Sequence, residues 1–449
     1  MRLIDVQLTN FRCFESLAIH FDPKVNVHVF VGDNGAGKSA ILDAIALGLA
    51  PIARKFGQTP GGKKRGLLDI MESPQHANSV AAALDGTPEK PFCHLLFSGR
   101  LNGSVVNWDT HLLRDKSKRT KSMLPQLIGY KQLHEALDED VFQVAERTGG
   151  SIPVFAYYGT SRAVIDIPQR QRSFQNGFTR VAGLKYALDP VSRFKDAFEW
   201  FFAMERDELA TQNEKQDHRF KLPVLEAVRN AILSMLPEFS RPRITRHPLH
   251  FALSRRNLDG SITDLYAEQL SDGYRTMLAL VMDFARRLAQ ANPHLENPLA
   301  SEAILLIDEV DLHLHPLWQQ KIVPSLEQTF PNTQIILTTH SQEVLTTVRA
   351  ECISIVRDGK IYPCAMPTYG ARSPEVAAEV MGVQSLRPPK NEVAQTVTQL
   401  FAAIDAGNLD NVRSHRQFLA DWAQGYPEPD LMRADLLIRR LESKLRPTP

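Results

Sequence analysis

The run Gly32-Asp33-Asn34-Gly35-Ala36-Gly37-Lys38-Ser39 satisfies G-x-x-x-x-G-K-[ST], and its residue types state a chemistry. Glycines let consecutive backbone N–H groups turn inward around a polyphosphate, and the positive end of a following helix points at the same charge. Lys38 is placed to reach the β- and γ-phosphates, Ser39 offers a hydroxyl to Mg²⁺, and the binding stretch runs on to Ala40. Such a loop needs a metal-holding carboxylate and a group that polarises water. Asp308 and Glu309, in "AILLIDEVDLHLHP" (303–316), supply both: Asp308 holds the metal through water and Glu309 acts as general base. His340, in "QIILTTHSQEVL" (334–345), stands where it could hydrogen-bond a γ-phosphate or cap the next helix. Ser271, Asp272 and Gly273, in "EQLSDGYRTMLALVMDFARR" (268–287), form a second anion grip at a helix start. His313 and His315 have no further ligands beside them and make a poor metal pair.

These residues need elements to hold them. Val27, Val29, Phe30 and Val31 read as a strand into the glycine loop, and Ile41, Leu42, Ile45 and Leu49 as the apolar side of the helix after it. Ala303–Ile307 is a continuous apolar run, which suits a strand buried on both faces of a parallel sheet. The strand before His340 is of the same kind, and its end lies on the edge where α/β sheets bind ligands. Met277, Leu280, Val281 and Phe284 recur at helical spacing after Gly273.

The 449 residues suffice for two to three domains, and 52 Lys+Arg against 51 Asp+Glu leave no global basic field. Nucleic-acid contact must come from a local patch. Cys13, Cys93, Cys352 and Cys364 form no C-x-x-C pair, which fits a reducing compartment. Arg2 and Asp5 interrupt any leader-like apolar run, and no apolar stretch approaches the ~20 residues of a membrane span. The expected setting is soluble and cytoplasmic, with no membrane contact.

Together these motifs resemble the ATP-binding-cassette class of ATPases. Gly32–Ser39 matches its Walker A loop, Leu270–Arg275 its signature motif, Ile304–Glu309 its Walker B strand, Asp311 its D-loop and His340 its switch histidine. The resemblance implies ATP and Mg²⁺ as cofactors. It also implies a head-to-head homo-oligomer, at least a dimer, in which one copy's signature grips the ATP held by the other copy's Walker A. The Q-loop is a departure: only Gln169 and Gln171 follow "PVFAYYGTSR" (153–162).

"LIDVQLTNFRCFESLAIHF" (3–21) alternates as an edge strand does, then presents Asn10-Phe11-Arg12. That start resembles the SMC- and RecF-like branch, which places Arg12 beside the nucleotide. Lys38 and Ser271 stand too far apart for a transporter subunit. The fold class expected is α/β: an ATPase head with a parallel-sheet P-loop core, an antiparallel N-terminal β subdomain, an inserted helical lobe and a helical C-terminal region. Residues 1–374 form the ATPase domain, with 51–150 inserted and 163–240 as the helical lobe, and 375–449 the helical tail. The basic clusters at Lys63–Arg65 and at Arg114, Lys116, Lys118, Arg119 and Lys121 read as solvated loops, with nucleic-acid contact as the minority reading. In the lobe, Phe194, Phe198 and Phe201 form one apolar stripe, and Leu225, Val228, Ile232 and Met235 another. In the tail, Val393, Val397, Leu400 and Ile404 form one face, Phe418, Leu419 and Trp422 a second, and Ile438, Leu441 and Leu445 a third.

The heptad series needed for long coiled-coil arms is absent. The tail also lacks a D-x-D pair for a fused nuclease. Along nearly its full length the chain resembles the ATPase subunit of Septu-type anti-phage systems, related to ATPases that accompany some retrons. The resemblance implies control of a separate HNH nuclease, with DNA met through that complex and no nuclease activity in this chain. A RecF-like ATPase that clamps DNA directly, and a scaffold that binds ATP without turning it over, are the alternatives.

Overall fold

The computed structural model describes residues 1–58, 92–113, 117–147, 149–160, 177–190, 194–246, 248–257, 259–383 and 387–445. Gln169, Gln171, Lys63–Arg65, Arg114 and Lys116 lie outside them, as does the side chain of Leu445. The described residues fall into two units, divided between Val376 and Ala377.

The strands of the first unit, in chain order, are β1 (Arg2–Phe11), β2 (Phe14–His20), β3 (Val27–Val31), β4 (Phe92–Leu101), β5 (Ser104–Leu113), β6 (Val154–Tyr158), β7 (Phe239–Arg246), β8 (Leu249–Arg256), β9 (Ile262–Tyr266), β10 (Ala303–Ile307), β11 (Thr333–Thr339), β12 (Ile353–Arg357) and β13 (Lys360–Pro363). The central sheet runs β13-β12-β3-β11-β10-β6. Every neighbouring pair is parallel except β12–β13. Every residue of β3, β6, β10 and β11 is buried, which is why none reads as an alternation; β3 and β11 nonetheless bury polar residues, His28 in one and Thr333, Gln334, Thr338 and Thr339 in the other. The register sets Thr339 beside Val31, and Ile307 beside both Leu337 and Tyr158. The segments after β3, β10 and β11 therefore emerge along one edge of the sheet, where ligands bind in this architecture.

A second, antiparallel sheet runs β2-β1-β4-β5. β1 is an inner strand, paired with both β2 and β4, and not the edge strand its alternation suggested. One buried face produces alternation whether or not both neighbours are present. β4 and β5 also occupy part of 51–150, the stretch read as an insertion. This sheet braces the helix Lys38–Lys55 at Gly48, where an added Cβ would lie 2.3 Å from the Phe97 ring. Trp108, stacked on Phe97 at 5.6 Å, donates from its indole nitrogen to the Gly48 carbonyl at 2.8 Å.

The helices Phe194–Lys215 and Pro223–Met235 bury both of their predicted stripes. Phe194 and Phe201 pack edge-on against Phe251 of the three-stranded sheet β7-β8-β9, whose strands the sequence reading did not anticipate. The helix Asp272–Ala291 is buried from Thr276 to its end.

The second unit carries the helices Glu392–Asp405, Leu409–Ala423 and Pro429–Leu445. Its core is Leu400, Ala403, Ile404, Val412, Leu419 and Ala434. The predicted face Phe418–Leu419–Trp422 is only partly interior: Leu419 is buried, whereas Trp422 is 47% exposed and Phe418 37%.

Candidate functional site

The loop 32–39 connects β3 to the helix Lys38–Lys55. Gly37 caps that helix at φ 103, a left-handed conformation that favours glycine. No acidic residue occupies the first turn, so the positive end of the helix is left for an external anion. The Lys38 ammonium donates to the carbonyls of Gly32 and Asp33, each at 2.9 Å. Burial lowers its pKa, against the opposing pull of Asp308, Glu309, Asp33 and Asp311. A cation among four carboxylates at a helix start is an arrangement able to hold a polyphosphate together with a divalent metal.

Ser39 and Asp308, which are 269 positions apart, meet at 3.0 Å between Oγ and Oδ1. One hydroxyl and one carboxylate suit Mg²⁺, which keeps most of its waters and takes few protein ligands. No group of three or more His, Cys, Asp or Glu is placed to hold a metal among the described residues, and His313 and His315 belong to no such set. His315 instead accepts the Leu317 N–H at 3.3 Å and starts the helix Pro316–Thr329. Glu309 follows Asp308 at φ 49. His340 leaves β11 with its backbone N–H on Asp311 at 3.3 Å. Ser341, and not His340, caps the next helix, accepting the Val344 N–H at 3.1 Å.

Arg12, at φ 50, is ion-paired with Asp43 at 2.6 Å. Asp43 lies one helical turn beyond Ser39; burial first, and then the negative charge of the same carboxylate, raise the pKa of the Tyr157 hydroxyl. Arg12 is thus tied to the helix that starts at Lys38. Its Nε is buried without a hydrogen-bond partner.

Ser271 occupies the N-cap position of Asp272–Ala291, yet its hydroxyl makes no capping bond. Ser271 and Asp272 are exposed. Asp272 pairs with Arg275, which lowers its pKa. A Cβ on Gly273 would stand 3.0 Å from the His313 carbonyl, so this helix start packs on the segment that follows Asp308 and Glu309. Further along, Asp283 binds Arg286, Arg287 and the Tyr158 hydroxyl.

Sequence reasoning passed over Asp43, Tyr157, Tyr158, Asp283, Thr338 and Thr339. The available signals were faint: an acid four positions after Ser39, paired tyrosines and paired threonines ending apolar strands, and an acid in an apolar helix.

A family model described as "AAA domain" matches residues 5–239, more than half of the chain. A second AAA-domain model, whose description names the AbiEii toxin and type IV TA systems, matches residues 163–346. The "Retron Ec83 probable ATPase" of Escherichia coli is 28% identical over 455 residues, covering 89% of this chain and 79% of that protein. The "Septu protein PtuA" of Bacillus thuringiensis is 27% identical over 159 residues, covering 33% of this chain and 40% of that protein. The solved SMC head domain from Thermotoga maritima is 17% identical, with a TM-score of 0.38 over 82% of this chain and 100% of that one. With a match running from inside β1 through the helix Pro223–Met235, the chain belongs to the AAA-domain family.

Proposed function

We propose that this chain is an ATPase. In this reading ATP lies along Gly32–Ala40, with Lys38 on its β- and γ-phosphates and Ser39 and Asp308 holding Mg²⁺. The bound metal would neutralise phosphate charge; the chain's own groups do the rest. Glu309 draws a proton from the attacking water, His340 hydrogen-bonds the γ-phosphate, and Arg12 lies near the nucleotide on its Asp43 tether. The observation that carries the reading is the 3.0 Å approach of Ser39 to Asp308, which joins phosphate loop and acidic strand end in one site. Lys38→Ala is expected to lose ATP binding. Glu309→Gln is expected to keep ATP but turn over roughly 10²–10⁴-fold more slowly. Wild-type turnover in Glu309→Gln would overturn the assignment.

We infer that the chain works in an anti-phage complex, gating cleavage of DNA by a separate HNH-type nuclease. The names of the retron and Septu relatives support a place in a system of that kind; the nuclease partner is what the motif resemblance implies. The 375–449 region is read as the docking module. Trp422, 47% exposed, and Tyr426, 74% exposed, are its available aromatic anchors. Truncation before Pro388 is expected to spare ATP binding and abolish co-purification of the nuclease. Magnesium-dependent cleavage by the purified chain alone would overturn the division of labour. Among the described residues no helix is long and apolar enough to cross a membrane, and we read the complex as cytoplasmic.

One observation favours the second reading, direct DNA contact. β7 and β8 carry Arg241, Arg243, Arg246, Arg255 and Arg256, with no acidic residue from 239 to 257. Duplex binding by the chain alone that weakens steeply with salt would support it.

A further inference from the structure

β11 ends in two fully buried threonines, Thr338 and Thr339, and a buried hydroxyl without partners is costly. Each of these hydroxyls gives its hydrogen to one acid and accepts a backbone N–H. Thr338 Oγ1 donates to Asp308 Oδ1 at 2.6 Å and accepts the Glu309 N–H at 2.7 Å. The same Asp308 oxygen accepts the Ser39 hydroxyl. Thr339 Oγ1 donates to Asp311 Oδ1 at 2.6 Å and accepts the Ser341 N–H at 3.0 Å. Asp311 Oδ1 in turn accepts the His340 N–H.

Glu309 makes the first of these contacts consequential. Its φ of 49 is a left-handed conformation, which a glutamate holds only where its surroundings fix it. Its N–H is the group that Thr338 receives. One hydroxyl therefore sets the Asp308 carboxylate and anchors the backbone of the next acid.

We propose that Thr338 and Thr339 are two positioning residues with separable tasks, on the ATP and Mg²⁺ reading given above. Thr338 aims Asp308 at the metal and fixes Glu309. Thr339 fixes Asp311 and, through it, the backbone from which His340 projects. Valine at either place keeps the branched shape and loses both hydrogen bonds; serine keeps the hydroxyl. The two substitutions then differ in what they disturb.

The test uses the full chain, a fluorescent ATP analogue and a Mg²⁺ titration, with binding in EDTA as the check on folding. Thr338→Val is expected to raise the half-saturating Mg²⁺ about ten-fold, the scale of a lost hydrogen bond to a charged group. Its affinity in EDTA should stay within about two-fold of wild type, and Thr338→Ser should restore the Mg²⁺ response. Thr339→Val is expected to leave the Mg²⁺ requirement unchanged while lowering kcat about ten-fold, again with rescue by serine. If Thr338→Val does not fold, Thr338→Ala replaces it as the hydroxyl-free variant. An unchanged Mg²⁺ requirement in a folded hydroxyl-free variant overturns the assignment of Thr338, as does failure of serine to restore it. A shift in Mg²⁺ requirement for Thr339→Val overturns the division of tasks. A wild-type chain with no Mg²⁺-dependent nucleotide binding overturns the ATPase reading and this proposal with it.

Discussion

The Tyr158 hydroxyl donates to Asp283 at 2.8 Å, tying the strand beside Asp308 to the helix that starts after Ser271. Asp283 also takes Arg287 at 2.8 Å and Arg286. Arg287 reaches on to the carbonyls of Gly183 and Lys185 at 2.8 and 3.0 Å. All three charged groups are buried. Removing one partner of a buried ionic cluster strands the others, so Asp283→Asn should cost about 3–5 kcal/mol in urea denaturation. Tyr158→Phe should cost about 1 kcal/mol. Burial alone would raise the Asp283 pKa, but the two arginines hold it at about 2, below its ordinary 3.8. The folded form thus releases its proton more readily than the unfolded one. The stabilisation is complete above pH 3.8 and is lost as pH falls toward 2. Asp283→Asn should lack that acid limb; an equally steep limb in the variant would refute the assignment.

Glu205 should show the opposite sign. Burial raises its pKa from 4.5 to about 7. The backbone N–H of Ile244 at 3.2 Å and the Arg229 guanidinium at 3.5 Å oppose this. Arg229 is engaged more closely by Glu208 at 2.8 Å, which leaves Glu205 weakly compensated. The folded protein keeps a proton across the window from 4.5 to about 7 that the unfolded chain has released. Stability therefore falls as pH rises through that window. Glu205→Gln should remove the decline, gaining on the order of 2 kcal/mol relative to wild type between pH 5 and 8. Parallel urea midpoints for the two proteins at both pH values would refute it.

The phosphate loop, the acidic strand end and the Ser271 helix start were legible because each is a contiguous string in which strand, loop and helix chemistry follow one another. Relations between strings were not. Ser39 meets Asp308, Arg12 meets Asp43 and Tyr158 meets Asp283 only once the sheet order is set, and no local pattern announces which strand lies beside which. β1 shows the same limit: its alternation reports a buried face, while its second neighbour, β4, enters from Phe92 onward. In the tail, helical spacing grouped Phe418, Leu419 and Trp422, but the packing surface offered by Ala434 selects Leu419 and Val412. Periodicity finds a stripe; the partner helix decides its centre. Thr338 and Thr339 were hidden for a related reason, since polar atoms in a buried strand become intelligible only when their acceptors are known.

Gly37→Ala should abolish tight ATP binding. Its φ of 103 disfavours any side chain, and a Cβ there would lie 2.5 Å from Cys13 Sγ and 2.6 Å from Phe14 Cζ. Backbone strain of this kind amounts to about 1–3 kcal/mol, enough to displace the loop from its phosphate-binding form. Cys13→Ala should not rescue it, because Phe14 and the backbone conformation remain. Cys13 also provides an assay. The residue is exposed, but its thiol lies against the Ala36 carbonyl at 4.0 Å, and the partial desolvation of the sulfur there raises its pKa. Alkylation should therefore be slow at neutral pH, faster at higher pH, and slower again when ATP fills the loop. ATP-independent labelling in wild type would argue that the nucleotide does not settle there.

The Ser271 helix start is expected to act on a nucleotide held by another copy of the chain. Ser271 is exposed and its hydroxyl does not cap its own helix. Gly273 packs on the His313 carbonyl, joining this helix start to the loop beyond Glu309. On the proposed reading one chain offers two anion grips, and a single ATP does not need both. If the second grips the ATP of another copy, Ser271→Arg blocks closure by bulk while leaving the phosphate loop intact, and Lys38→Ala does the reverse. Each protein alone should be inactive. In a mixed dimer, the Ser271→Arg copy supplies the phosphate loop and the Lys38→Ala copy the Ser271 helix start, rebuilding one complete site of two. Random pairing at equal concentrations makes half the dimers mixed, so recovery should approach about a quarter of wild-type ATPase activity. Native mass spectrometry identifies the mixed dimers directly. If they form and turn over no ATP, the two grips do not act on one nucleotide across copies, and the Ser271 helix start must serve its own chain or none.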